Sequence, residues 1–127
     1  MKECKFCRLK NGEQRILFQN KSFYSIYDTN PTTRGHVILI PKRHVASILN
    51  LENPEPLDLQ ECLKDTVKVI KKEFKPDGYN IGINDGEAAG QTIFHLHVHI
   101  FPRYKGDVRN PKGGVRNIIP GKGDYVK

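Results

Sequence analysis

Three of the five histidines in this chain stand at alternate positions of one short segment, His95, His97 and His99 within "FHLHVHIFPR". Leu96, Val98 and Ile100 fill the positions between and after them. Neighbouring side chains of an extended strand point to opposite faces. The segment therefore predicts a strand with an aliphatic core face and three imidazoles in a row on the other. Those imidazoles then line a surface, a cleft or a metal.

The rest of the chain can support such a strand in one globular domain. Its 127 residues are enough for a core without covalent staples. A hydrophobic content of 37%, with five Tyr and six Phe, is that of a folded protein. The first residues, "MKECKFCRLK", are charged and hold no apolar run, and no stretch approaches the ~20 apolar residues of a membrane span. The expectation is a cytoplasmic, reducing setting without membrane contact, where three cysteines are not a disulfide framework.

Along the chain, "QRILFQN" and "KSFYSIYD" predict a hairpin turning near Asn20 and Lys21, and "GHVILIP" predicts a buried strand. "PKRHVASILNLENPEP" reads as a short helix and a proline-punctuated loop. From Asp58 to Lys75, Leu59, Leu63, Val67, Ile70 and Phe74 recur every three or four residues, an amphipathic helix. Asn53 or Asp58 is its expected cap, and "PDG" its end at Gly78. "GYNIGIND" and "TIFHLHVHIF" predict two more strands, joined through the loop "GEAAGQ". That order argues α+β with a mainly antiparallel sheet.

The net charge is +7, and its placement says more than its sum. Between Arg103 and Lys127 stand seven basic residues against two acidic ones. This glycine- and proline-rich end predicts an irregular basic extension from residue 105 to 127, following a domain of residues 1–104. Such a surface favours polyanions, nucleotides and nucleic acid among them; a solvated tail is the plain alternative.

Cys4 and Cys7 in "CKFC" are spaced so that both thiolates can reach one metal ion. A redox pair needs a helix start after a strand, and a small zinc finger needs histidines soon afterwards; neither pattern is present. Two readings stay open, a Cys₂His₂ site assembled by the fold and a pair of unligated cysteines. Cys62 reads as a small buried residue. His36 and His44 both lie in "RGHVILIPKRH", so all five histidines fall in two segments bordered by predicted strands. If those strands pair, the imidazoles converge.

A neutral imidazole is a nucleophile toward phosphorus, and an imidazolium donates hydrogen bonds to phosphate oxygens. A pKa near 6.5 makes both forms accessible near neutral pH. A His₃ zinc site on one strand is disfavoured, because alternate positions stand ~6–7 Å apart and the outer two cannot share an ion without a bend.

"HLHVHIF" matches at every position the pattern His-φ-His-φ-His-φ-φ, with φ hydrophobic. It resembles the signature of the histidine triad (HIT) superfamily of nucleotide hydrolases and transferases. "YDTNPTTRGHVILIPKRH" and "NDGEAAGQTIFHLHVHIFPR" resemble two further family blocks, and "CKFC" is similar to the zinc-bearing microbial members. Together these cover most of Cys4 to Arg103 in the expected order.

The resemblance implies a five-stranded antiparallel sheet with two helices, paired into a homodimer. It implies that His97 is the nucleophile at the α-phosphorus of a purine nucleotide or dinucleoside polyphosphate. His99 would contact the phosphate with Gln91 and the backbone near Thr92, Asp28 would accept the ribose hydroxyls, Asn84 would touch the nucleotide, and His36 would buttress the triad. Cys4, Cys7, His44 and His95 would hold one structural zinc per chain. Magnesium enters only with the polyphosphate substrate. Gln91 followed by Thr92 is more similar to the dinucleoside polyphosphate hydrolase branch than to the serine-bearing one.

Two classes of function follow. One is an enzyme working through a nucleotidyl-histidine on dinucleoside polyphosphates or nucleoside phosphoramidates. The other is a nucleotide- or nucleic-acid-binding regulator with little turnover. The intact His97, His99 and Gln91 favour the enzyme. For the basic end, the expectation is a place at the mouth of the site, with Arg103, Lys105 and Arg109 holding polyphosphate and Gly113 and Gly114 admitting close backbone approach.

Overall fold

The computed structural model describes residues 4–9 and 15–125. Gln14 of the first predicted strand and Lys127 of the basic end lie outside them. The elements in order are α1 (Lys5–Leu9), β1 (Ile16–Gln19), β2 (Phe23–Tyr27), β3 (Val37–Pro41), α2 (Glu55–Phe74), β4 (Gly78–Gly82) and β5 (Val98–Arg103). The strands form one sheet in the order β1-β2-β3-β5-β4, with every neighbouring pair antiparallel. The expected α+β class with five strands and two helices is what the chain forms.

Both faces of the sheet are covered, which explains why β3 is buried at all five positions. On one face Phe23, Val37, Leu39, Val98 and Ile100 pack with Cys62 and Ile70 of α2. On the other, Tyr24, Ile26, Ile38 and Ile40 pack with Phe6 of α1. The period-two alternation along each strand sorts the residues between these cores. Ser25 falls on the α2 side and meets its polarity there, with its Oγ 2.7 Å from Thr66 Oγ1. The Cys62 thiol is buried as expected, and burial pushes its pKa up to about 11.

Four local expectations are corrected. The helix begins at Glu55, before Asp58, and neither Asn53 nor Asp58 caps it. A proline in the first turn loses no hydrogen bond. The Glu55 carboxylate organises that turn, accepting the Glu52 N–H at 2.8 Å and two Arg43 bonds at 2.8 Å. Asp58 accepts the Ser22 hydroxyl instead. The helix also stops at Phe74, with Lys75 left-handed at φ 50; Lys75 precedes Pro76, and the residue before a proline is pushed out of the α region.

The segment after β3 makes only a 3-10 turn at Ile48–Asn50, and the first helix is α1, which starts directly after Cys4 and carries Cys7. Finally, the triad strand is shorter than expected. Its ladder starts at Val98, because the Leu96 N–H bonds to Val45 O outside the sheet and the chain bends through Ile93 to His95.

Gly35 shows how tightly the chain enters β3. It has φ +83, and an added Cβ would stand 2.8 Å from Phe74 Cδ2. Gly35→Ala is expected to cost roughly 1–3 kcal/mol through backbone strain and the displaced ring. A shift in the urea midpoint of unfolding checks this; an unchanged midpoint contradicts it.

Candidate functional site

Backbone pairing assembles the site on the sheet face that carries Phe6. Register places Ile38 of β3 opposite His99 of β5. His36, just before β3, accepts at its carbonyl the Asp28 N–H at 3.0 Å, so Asp28 and His36 sit side by side beyond the ends of β2 and β3. His36 is 3% exposed, and its Nε2 lies 3.0 Å from His99 Nδ1 and 3.5 Å from Asp28 Oδ2. The expected convergence of the two histidine segments is therefore present.

Backbone groups fix which nitrogen of each ring carries the proton. His36 Nδ1 accepts the Thr32 N–H at 3.1 Å, so its proton is on Nε2 and is donated to His99 Nδ1. The His99 proton is then on Nε2. His97 Nδ1 lies 3.0 Å from the His95 carbonyl, which can only accept, so that nitrogen carries the proton and Nε2 keeps its lone pair. The His97 ring packs edge-on against Phe6 at 4.9 Å and His99 at 5.1 Å. A ring with its donor side tied down and a free lone pair on Nε2, lining a cleft, has the form a nucleophile needs.

His99 stacks on Phe101 at 5.2 Å with the rings 10° from parallel. Burial, with His97 and His36 alongside, pushes its pKa from 6.5 down to about 4 against the pull of Asp28. Burial lowers His36 too. The unfolded chain protonates His99 near pH 6.5, and the fold refuses that proton until about pH 4. The corresponding stability is intact above pH 6.5 and lost as the pH falls through that window. The His99 ring signals are expected to titrate near pH 4 by NMR; a midpoint above 6 contradicts the assignment.

Beside this site lies a second cluster. Cys4, Cys7, His44 and His95 each bring one donor atom, all within 4.8 Å of one another. The thiol sulfurs lie 3.2 to 3.5 Å from the ring nitrogens, and the Nδ1 atoms of His44 and His95 are 3.1 Å apart. Zinc bonds of ~2.3 Å to sulfur and ~2.0–2.1 Å to nitrogen give tetrahedral edges of about 3.3–3.8 Å, so the donors fit one zinc. His95 Nε2 lies 2.8 Å from the Pro41 carbonyl, which places the proton there and turns the Nδ1 lone pair to the cluster. The bend before β5 is what lets His95 leave the row and serve here. Between the open readings of "CKFC", the geometry favours the assembled Cys₂His₂ site.

Sequence reasoning missed most of the cleft wall. Phe6, Ile26, Ile38 and Ile93 form its apolar side. Lys5, Tyr27, Asp28 and Thr29 line it with His97 and His99. Phe6 is held by Tyr24, whose hydroxyl donates to the Phe6 carbonyl at 3.2 Å and whose pKa burial pushes up to about 12. A signal for Lys5 and Phe6 existed: they stand between two thiols that share a cluster with His95, two residues from His97.

Three expected contacts lie elsewhere. Gln91 is buried, its Oε1 accepting the Gly86 N–H at 2.8 Å and its Nε2 donating to Ala46 and Ile93 carbonyls at 3.0 and 3.2 Å. It holds the glycine loop in place. Asn84 and Thr92 are exposed, and among the described residues neither lines the cleft.

Arg103, Lys105 and Arg109 line a different cleft of about 460 Å³ at the far end of β4 and β5, which shares no described lining residue with the first. Arg103 is committed to Asp107 at 2.8 Å. Gly113, with φ +85, has room for no Cβ, since one would meet the Gly123 carbonyl oxygen at 1.8 Å. Close approach there serves the chain's own backbone. No helix of the described residues is long and apolar enough to cross a membrane.

The family model described as the HIT domain matches residues 10–106. An uncharacterized HIT-like protein of Methanocaldococcus jannaschii is 37% identical over 118 residues, covering 91% of each chain. A bis(5'-nucleosyl)-tetraphosphatase (asymmetrical) of Schizosaccharomyces pombe is 38% identical over 106 residues, which span 84% of this chain and 58% of that one. Among solved structures, a zinc-bound histidine triad family protein from Mycobacterium smegmatis superposes with a TM-score of 0.74 at 32% identity, covering 84% of this chain and 78% of that one. With its triad, its sheet and these likenesses agreeing, the chain belongs to the HIT domain family.

Proposed function

We infer that this protein is a nucleotidyl hydrolase acting at the α-phosphate of dinucleoside polyphosphates. The observation that carries this reading is the His97 ring, whose Nδ1–H is held by the His95 carbonyl and whose Nε2 lone pair is left for the cleft. His97 Nε2 attacks the α-phosphorus, the P–N bond forms, and the P–O bond to the leaving polyphosphate breaks with its electron pair on the departing oxygen. His99, neutral at physiological pH, donates its Nε2–H to a non-bridging oxygen as charge builds there. Water then attacks the phosphorus and gives up a proton to the solvent, the P–N bond breaks, and its electron pair returns to His97 Nε2. The Asp28 carboxylate, which accepts the Asn30 N–H at 2.8 Å on Oδ1 and has His36 Nε2 3.5 Å from Oδ2, keeps further lone pairs as acceptors for ribose hydroxyls.

The yeast relative's name supports a polyphosphate substrate, though this chain spans 58% of that protein. Cys4, Cys7, His44 and His95 would hold a zinc ion, which would supply cross-linking alone because protein donors would fill all four positions. A homodimer, as the family likeness implies, is part of the same reading and is checked by light scattering. The deciding experiment incubates the protein with dinucleoside polyphosphates, nucleoside phosphoramidates and adenylylated nucleic acid, and resolves the products. A mononucleotide released from a dinucleoside polyphosphate supports the reading; tight binding without turnover of any substrate points to the regulator instead.

A further inference from the structure

The described lining of the first cleft carries one permanent positive charge. Among its described lining residues Asp28 carries a negative charge, and Lys5 is the single lysine or arginine. The His99 imidazole at its floor is neutral, held so by burial. A substrate with several phosphates brings charge that the neutral His99 ring does not balance, and the leaving oxygen gains more as the P–O bond breaks.

Lys5 is held at that point by its neighbours in the chain. Cys4 and Cys7 flank it and are tied to His44 and His95. Phe6, next in sequence, is 3% exposed, with its carbonyl bonded to Tyr24 and its ring 4.9 Å from the His97 ring. The backbone of residue 5 is thus fixed beside the nucleophile while its own side chain is exposed. A lysine on a flexible stem is a mobile point charge, suited to a phosphate chain whose length varies. Arg103, Lys105 and Arg109 of the basic end line the other cleft.

We propose that Lys5 is a specificity-determining residue that binds the anionic leaving portion beyond the α-phosphate and selects substrates leaving as polyphosphate over those leaving as a neutral amine. The Cys/His cluster then does more than stiffen the N-terminal segment, because it presents this charge to the substrate. The inference rests on the hydrolase reading, and it adds a discrimination that His97 and His99 do not make. Both of those rings face the α-phosphate common to all such substrates.

The test compares wild type with Lys5→Gln, Lys5→Met and Lys5→Arg, each confirmed to retain zinc and the wild-type melting temperature. The substrates are a dinucleoside polyphosphate and a nucleoside phosphoramidate with a neutral amine leaving group. In Lys5→Gln or Lys5→Met, kcat/KM for the polyphosphate should fall roughly ten- to a hundredfold, the scale of one lost charged contact, with a much smaller fall for the phosphoramidate. Lys5→Arg should restore most of the loss, and added salt should narrow the gap.

Equal losses on both substrates would reduce Lys5 to a counter-charge for Asp28 and overturn the proposal, as would no loss on either. If wild type turns over neither substrate, the hydrolase reading fails and Lys5 is judged by binding alone. The preference for a nucleoside tetraphosphate over a nucleoside monophosphate, measured as a Kd ratio, should then collapse at least about fivefold in Lys5→Gln. An unchanged ratio overturns the inference.

Discussion

His97→Asn leaves a folded protein that binds nucleotide with near wild-type affinity and turns over substrate roughly 10⁴-fold more slowly or worse. The asparagine keeps a polar group near the His95 carbonyl but has no ring nitrogen to form the P–N bond. Wild type incubated with an α-labelled substrate should carry acid-labile, base-stable label, and the variant should carry none. His99→Ala acts differently, removing one donor aimed at developing charge, for a loss of roughly 10²–10³ in kcat. A His97→Asn protein that keeps more than a few per cent of the wild-type rate, confirmed free of wild-type contaminant, would remove the nucleophile assignment.

The second large effect is on stability. One zinc per chain is expected by metal analysis, with Cys4→Ser and His44→Ala each losing it. Without the cluster, α1 is held to the sheet mainly by the Phe6 ring and one Tyr24 bond. Loosening it exposes one edge of the second core, and a fall in melting temperature of roughly 10 °C follows from a loss of a few kcal/mol. Chelation of wild type should produce the same fall, as metal binding and folding are linked. Unchanged melting after complete zinc removal would return Cys4 and Cys7 to ordinary cysteines.

Much of this site was legible in the sequence, for a reason that also marks the limit. Strand periodicity reports which face a residue takes, so Leu96, Val98 and Ile100 were readable as core and His99 as facing away from it. Periodicity does not report where a ladder begins. His95 looks like a third member of a row, yet the Leu96 N–H finds Val45 and the ring finds the thiols. The cap of α2 was misread because Asp58 and Glu55 are both acidic residues near a helix start, and only the positions of Arg43 and Ser22 decide between them.

Gln91 is a similar case. An amide before a triad can serve a ligand or a loop, and the carbonyls of Ala46 and Ile93 take it for the loop. The apolar cleft wall was hidden for another reason. Ile26 and Ile38 are ordinary core residues by pattern, and only the folded chain shows that they also line the cleft beside Phe6.

The double engagement of His95 has a practical consequence for anyone preparing this protein. Its ring belongs to the Cys/His cluster and its carbonyl addresses the proton of His97, and one peptide unit joins the two. On the proposed reading, a sample with half its clusters filled would be a mixture of two catalysts. With the cluster filled, His95 would hold the His97 proton on Nδ1; with it empty, that hold would loosen. Specific activity per milligram has no fixed meaning for such a mixture. Activity per bound metal does.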